Sequence, residues 1–149
     1  TIATRFPFEV SPDLSGIVAD DGGELYLSTD DSESNKRLVA VEPVWANSRE
    51  WVTADSADRR PDTAKINPDQ PAPNVSVPVR LVGGQRYYTE IQYKEGGGGD
   101  HGAAKFVLAS DGAPENGTLP AFGPVLATAV DPARLADLSL PVALKSAPG

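Results

Sequence analysis

Apolar and polar residues alternate along much of the chain, and no long window shows the 3.6-residue period of an amphipathic helix. The clearest alternation lies in residues 85–95, where one face carries Tyr87, Thr89, Ile91 and Tyr93. A two-residue period predicts a strand with one face in the core. Shorter runs predict few helices and further strands at 6–10, 16–19, 24–28, 37–41, 50–53 and 104–108.

A second alternating run, residues 75–81, comes just before this strand and is followed by a Val-Gly-Gly turn at 82–84. This order predicts a β-hairpin between the two strands. Pro78 lies within the earlier run and cannot donate a backbone hydrogen bond, so we expect an edge position for it. Short strands separated by glycines and prolines, 14 of each, favour an all-β antiparallel sandwich or barrel.

Two stretches lack a strand pattern. Residues 54–73 have no period, and for so long a loop we expect weak order. Residues 111–149 contain six prolines and predict an extended tail with one short helix over 132–138. The chain thus divides into a β domain over residues 1–110 and a Pro-rich extension over 111–149. Because it starts at Thr1 rather than at Met, we expect a piece of a longer protein.

Charge and composition exclude several classes of function. The 21 acidic and 13 basic residues give a net charge of −8 with no basic run, so nucleic acid is not an expected partner. The absence of Cys excludes disulfides, thiol nucleophiles and Cys-bound zinc. No apolar run reaches 18 residues, so we expect no membrane insertion. His101 is the single histidine and no nucleophile-elbow motif accompanies it, so we expect no enzyme activity.

The first candidate site is the acidic pair Asp20-Asp21, which two glycines follow. Neighbouring residues of a regular strand point to opposite faces, so both carboxylates can hold one ion only if the backbone departs from the strand, for example through a cis peptide bond. Ca²⁺ is the ion that such hard oxygen ligands suit. An ordinary acidic hairpin turn explains the same residues, and spacing alone leaves both interpretations open.

The second candidate site is a glycine run over residues 96–99 that ends at Asp100 and His101. Four glycines allow the backbone to approach a ligand closely, and Asp100 adds an oxygen ligand for Ca²⁺. His101 is more typical of a hydrogen-bonding loop residue than of a calcium ligand. A flexible hairpin connection is the alternative, and composition alone does not separate the two interpretations.

Several segments, taken in order, resemble one known family. They are residues 17–31, Asn35-Lys36-Arg37, Trp45, Glu50-Trp51, residues 81–88 and the run from Lys94 to Asp100. Together they are similar to the fourteen-kilodalton domain of anthrax protective antigen, in the variant of large bacterial surface and secreted proteins. The resemblance implies a lectin-like β-sandwich. It also implies that an Asp-Asp pair joined by a cis peptide, here Asp20 and Asp21, holds a Ca²⁺ ion that binds sugar hydroxyls.

From this resemblance we expect a non-catalytic carbohydrate-binding or adhesion module, extracellular or at the cell surface, with glycans or surface polysaccharide as partners. The expected metal ligands are Asp20, Asp21 and Asp100. The expected ligand-binding residues are Gly97, Gly98, Gly99, His101 and Trp51, and an aromatic ring of Trp45, Trp51 or Tyr88 is a candidate for stacking on a sugar. The family has more strands in front of the acidic pair. The alternative is therefore a structural subunit of a surface fibre, layer or adhesin that assembles through its termini with neighbouring copies.

Overall fold

The computed structural model describes residues 2–5, 11–52, 57–121 and 126–128, and this part of the chain is built from β-strands. Its helical elements are four 3₁₀ turns of three residues each: Glu33–Asn35, Ala57–Arg59, Asp62–Ala64 and Ala109–Asp111. The all-β prediction is confirmed. The strands are β1 (Ile2–Arg5), β2 (Ser11–Asp20), β3 (Gly22–Leu27), β4 (Arg37–Glu42), β5 (Val79–Leu81), β6 (Arg86–Lys94), β7 (His101–Leu108) and β8 (Leu126–Thr128).

These strands form two antiparallel sheets. The five-stranded sheet has the order β4-β3-β6-β1-β8, and the three-stranded sheet has the order β5-β2-β7. Strand β2 pairs with β7 over eight residues, and this ladder ends where Asp20 lies opposite His101. Strand β3 then begins at Gly22, which lies opposite Lys94 of β6 in the other sheet. The acidic pair therefore occupies the point at which the chain passes from one sheet to the other.

Both sheets contribute side chains to the same core clusters. One cluster joins Ile17 of β2 and Ala104 of β7 to Leu25 of β3 and Ala40 of β4. Burial alternates along β3, where Leu25 and Leu27 are buried and the residues between them are half-buried. The period-2 pattern read from the sequence therefore has its expected physical cause in this strand, because alternate residues face the core.

The hairpin predicted around residues 82–84 is wrong. Strand β5 pairs with β2, whereas β6 pairs with β3 and β1, so the turn carries the chain between the two sheets. The turn itself is present, with Gln85 N–H donating to the Val82 carbonyl and Gly84 at a φ of 79°. Pro78 immediately precedes β5, which is an edge strand as expected.

Other strand predictions fare differently. Strands β2, β3, β4, β6 and β7 lie where alternation predicted them, although β2 is longer than the predicted 16–19. Residues 50–52 form no strand, because they belong to the loop that follows β4, and residue 53 lies outside the described residues. The predicted strand at 6–10 and the predicted helix at 132–138 also lie outside the described residues.

Residues 57–73 pack against the sheets, so the expectation of weak order is wrong for them. Gln70 is buried, and its side chain accepts hydrogen bonds from Ile66 N–H at 2.8 Å and Asn67 N–H at 3.0 Å. The amide group of Gln70 also donates to the Val75 carbonyl at 2.9 Å. A polar segment without periodicity is held here by side chain to backbone hydrogen bonds instead of by apolar alternation.

Part of the predicted C-terminal tail also belongs to the folded body. The indole N–H of Trp51 donates to the Thr118 carbonyl at 2.9 Å, and Val52 N–H donates to Asn116 Oδ1 at 2.9 Å. Strand β8 adds to the five-stranded sheet by pairing with β1. In the part of the chain that the structure describes, no helix has the length and hydropathy needed to cross a bilayer.

Candidate functional site

The acidic pair lies where four segments meet. Asp20 ends β2, forms an isolated antiparallel bridge with Trp45, and lies opposite His101 of β7. Asp21 N–H donates to the Lys94 carbonyl at 3.1 Å, which ties the pair to the end of β6. The peptide bond between Asp20 and Asp21 is cis, the form that the resemblance implies for such a pair. Both side chains are half-buried.

Both carboxylates point at the glycine loop of residues 96–99. A Cβ atom placed on Gly96 would collide with Oδ2 of Asp21, and one placed on Gly99 would collide with Oδ2 of Asp20. Glycine is thus required at these two positions by the carboxylates in front of them, since any side chain would displace a carboxylate. The pair and the loop, which lie 75 residues apart in the chain, form one polar site.

The two central glycines have a different role. Gly97 has a φ of 148° and Gly98 a φ of 119°, and nothing lies within 4 Å of a Cβ placed on either. These are conformations that residues with a side chain rarely adopt. Gly97 and Gly98 therefore give the loop its shape, while Gly96 and Gly99 allow the carboxylates to approach it. The predicted ligand-binding residues Gly97, Gly98 and Gly99 are exposed beside the acidic pair.

Asp100 braces the loop from its far end. Its Oδ1 accepts a hydrogen bond from the Tyr93 hydroxyl at 3.2 Å, and the Asp100 charge raises the pKa of that hydroxyl. Among the described residues, no three His, Asp or Glu side chains gather into a group that could hold a metal ion. Any ion at Asp20 and Asp21 would therefore need further oxygen atoms from the backbone, from water or from a ligand. Ca²⁺ accepts such oxygens.

The structure places the other predicted ligand-binding residues in contrasting environments. Nε2 of His101 is buried beside the pair and has no hydrogen-bond partner among the described residues. Trp51 is fully buried in a cluster with Val18 and Ala46, so its ring cannot stack on a ligand that arrives from solvent. Tyr88 is also buried, with 5 % of its surface exposed. Of the three aromatic rings named from the sequence, Trp45 alone is exposed, to 41 %.

An open groove of about 360 Å³ adjoins the acidic pair on the five-stranded sheet. Its position follows from the two glycines that begin β3, because a strand without side chains leaves a trough between its neighbours. A side chain at Gly22 would point towards the backbone carbonyl oxygens of Glu42 and Val44. The groove is lined by Gly22, Gly23, Glu24, Val41, Glu42, Pro43, Gln92, Tyr93 and Lys94.

Sequence reasoning missed the bridge between Trp45 and Asp20 and the bond between Tyr93 and Asp100. Tyr93 falls on the core-facing parity of β6, yet it is 50 % exposed at the end of the strand. The signal that could have found it is the short distance in sequence between the strand end and the glycine run.

Comparison with known proteins gives no match to any family model, curated protein or solved structure. The resemblance drawn from the ordered segments therefore stays a prediction.

Proposed function

We propose that this chain is a non-catalytic, extracellular module that binds carbohydrate through a Ca²⁺ ion. The ion would be held by Asp20 and Asp21 and by backbone oxygens of the 96–99 loop. The observation that carries the proposal is the convergence of both carboxylates on this loop, where a Cβ on Gly96 or Gly99 would collide with them. The extracellular location is inferred from the resemblance and is part of the proposal.

The number of available oxygen atoms favours a site that is completed by its ligand. Ca²⁺ takes six to eight oxygens, and two carboxylates supply at most four of them. Because Asp100 is engaged with Tyr93, the remaining positions would be filled by loop carbonyls, by water and by two hydroxyls of a sugar. A glycan that presents neighbouring hydroxyls would displace water from the ion, and this exchange links calcium to carbohydrate binding.

A lectin-like sandwich is the architecture that we infer beneath this site. Two antiparallel sheets supply residues to shared core clusters, as in Ile17 with Leu25 and in Leu27 with Leu81. Ligand loops at one end of two packed sheets are a common arrangement in such folds. Here the crossing from β2 to β3 and the loop between β6 and β7 come together at one end.

The first test is a Ca²⁺ titration of the chelator-treated protein by calorimetry, with thermal unfolding followed in parallel. Binding should raise the Tm because a ligand of the native state stabilises that state. Asp20→Asn and Asp21→Asn should each lower Ca²⁺ affinity by about tenfold or more, since each removes one charge from the ion's shell. Asp31→Asn is the matched control, because Asp31 lies in an exposed turn outside the site.

The second step is a glycan screen with Ca²⁺ and with chelator. Calcium-dependent glycan binding that both Asp variants lose would support the proposal. Unchanged Ca²⁺ affinity in both variants would contradict the assigned metal site. Calcium binding without any glycan would contradict the carbohydrate function, and the hypothesis of an assembling structural subunit would then be the next one to test.

A further inference from the structure

Trp45 stands out because it is a large aromatic residue that remains 41 % exposed beside the acidic pair. Its backbone forms the antiparallel bridge to Asp20, and the next residue, Ala46, donates its N–H to the Ala19 carbonyl at 3.0 Å. The indole is thus fixed in sequence register with the first carboxylate of the site. Trp51, only six residues later, is fully buried.

A buried arginine supports the exposed ring from below. The guanidinium carbon of Arg59 lies 3.9 Å from the centroid of the Trp45 ring, and its Nη1 donates to the Trp45 carbonyl at 3.0 Å. Glu50 holds the guanidinium in place through two bonds of 3.1 and 3.2 Å. Stacking of this kind is favourable, and its partners are about 93 % buried in the side chain of Arg59.

This arrangement gives the ring a preorganised position. Backbone and stacked guanidinium fix the indole before any ligand arrives, so little conformational entropy is lost on binding. The guanidinium covers one face of the ring, and the exposed fraction of the ring is available to a ligand. An exposed aromatic face beside polar ligands for hydroxyl groups matches the two sides of a pyranose, one of C–H groups and one of hydroxyls.

We propose that Trp45 is the stacking platform for the sugar ring, and that the ligand is a neutral pyranose with two adjacent hydroxyls and an apolar C–H face. This inference rests on the function proposed above and narrows its substrate class. The net charge of −8 disfavours polyanionic glycans, since a sulfated or uronic-acid polymer is repelled by the surface as a whole.

Tyr93 is the other exposed aromatic residue at the site, and its contacts assign it a different role. Its hydroxyl is bonded to Asp100, and a Cβ on Gly102 would lie 3.1 Å from its ring. One face of this ring therefore lies against the backbone of β7, and the polar end holds the glycine loop. Tyr93 positions the loop, whereas Trp45 offers a face to the ligand.

The test compares Trp45→Ala and Trp45→Phe with the wild-type protein, all saturated with Ca²⁺. The probes are methyl α-mannopyranoside and methyl α-fucopyranoside as neutral sugars and chondroitin sulfate as the anionic one. Trp45→Ala should lower affinity for the neutral probes by about tenfold, whereas Trp45→Phe should retain most of it because an aromatic face remains. Ca²⁺ affinity should be unchanged in both variants. Val82→Ala is the control, an exposed apolar residue at the opposite end of β6.

Tryptophan fluorescence supplies a second readout. The chain has two tryptophans, and one of them is buried, so a sugar that stacks on Trp45 should change the emission of the wild type. The same sugar should leave the emission of Trp45→Phe, which keeps Trp51 alone, unaltered.

The outcomes separate this inference from the function on which it rests. Sugar binding that Trp45→Ala leaves unchanged would overturn the platform and leave the calcium lectin intact. Equal or tighter binding of chondroitin sulfate would overturn the neutral-ligand assignment. Calcium binding with no sugar bound by the wild type would overturn both. If Trp45→Ala fails to unfold cooperatively, Trp45→Phe and the wild-type emission decide the matter.

Discussion

Gly96 offers a test of the calcium site that leaves both carboxylates in place. A Cβ there would collide with Oδ2 of Asp21, and its φ lies outside the left-handed region, so alanine adds a clash without backbone strain. We expect Gly96→Ala to lower Ca²⁺ affinity by about tenfold because the carboxylate is pushed out of place, with only a small change in Tm since a flexible side chain can yield. Calorimetry and thermal unfolding measure the two effects.

Gly97 provides the matched control for this variant. Its φ of 148° makes alanine unfavourable, but nothing lies near its Cβ position. Gly97→Ala should therefore lower the Tm more than Gly96→Ala does, while its Ca²⁺ affinity falls less. The reverse ranking would show that loop shape, and not the approach of the carboxylate, governs the site.

Asn74 is a buried amide that connects three segments. Its Nδ2 donates to the Ile17 carbonyl at 3.0 Å and to the Trp51 carbonyl at 2.7 Å, and the side chain is fully buried. Asn74→Ala should reduce the free energy of unfolding by about 3 kcal/mol, since it leaves two buried carbonyl groups without donors. Urea denaturation measures the change. The exposed amide Asn35 is the control, and a loss as small in Asn74→Ala as in Asn35→Ala would contradict the assignment.

At the scale of elements, the segment 57–73 is anchored by a buried ion pair. Nε of Arg60 lies 3.0 Å from Oε1 of Glu42, and Nη2 lies 2.5 Å from Oε2, with 4 % and 0 % of the two side chains exposed. Burial raises the pKa of Glu42, and the Arg60 guanidinium opposes that rise. Arg60 also donates to the Glu50 carbonyl at 2.7 Å, so it joins β4 to the following loop.

Arg60→Met should destabilise the protein by about 3 to 5 kcal/mol, because a buried carboxylate is left without its cation. The double variant Glu42→Leu with Arg60→Met should recover much of this loss, since no charge then stays buried. Chemical denaturation of both variants gives the comparison. A double variant that is less stable than Arg60→Met would show that the segment depends on the ion pair itself.

The elements also show what the sequence could and could not predict. Alternation located β3, β4, β6 and β7 because each strand has one buried face. It failed at residues 82–84, where a Val-Gly-Gly turn has the same local chemistry whether the flanking strands pair or belong to different sheets. It failed again at 57–73, because ion pairs and the bonds of Gln70 have no period.

For the molecule as a whole, acidification has two opposing effects. Loss of negative charge relieves self-repulsion in a chain of net charge −8. Against this, Glu90 on the five-stranded sheet accepts bonds from Lys36, at 2.7 Å, and from Tyr88 and Gln92. These bonds, that of Lys36 foremost, lower the pKa of Glu90 from 4.5 to about 2.

The sign of the Glu90 contribution follows from linkage. Its folded-state pKa lies below the unfolded one, so its stabilisation is present above about pH 4.5 and is lost as the pH falls towards about 2. Glu90→Gln should therefore show a smaller drop in Tm between pH 6 and pH 3 than the wild type. Thermal unfolding across this range measures the drop, with the exposed Glu115→Gln as control. Parallel curves for wild type and Glu90→Gln would contradict the assigned role.

The candidate site was predictable in its composition and not in its surroundings. The acidic pair and the glycine run are continuous in sequence, so a reader can find them by residue type alone. Exposure of Trp45 and burial of Trp51 depend on where the chain crosses the end of β2, which involves Ala19 and Arg59 from distant segments. Two tryptophans six residues apart cannot be told apart by their neighbours in the chain.

The pairing of β1 with β8 sets how this fold responds to mechanical tension. The two strands run antiparallel with Ile2 opposite Thr128, so a pull on these two residues enters at the same end of the ladder. Load applied in this way opens hydrogen bonds one after another instead of shearing them together, and β8 would peel away at low force. The acidic pair and its glycine loop lie in the ladders of β2, β3, β6 and β7, away from this pair of strands. Stretching between residues 2 and 128 would first lengthen the chain at β8 and leave the ligand end intact.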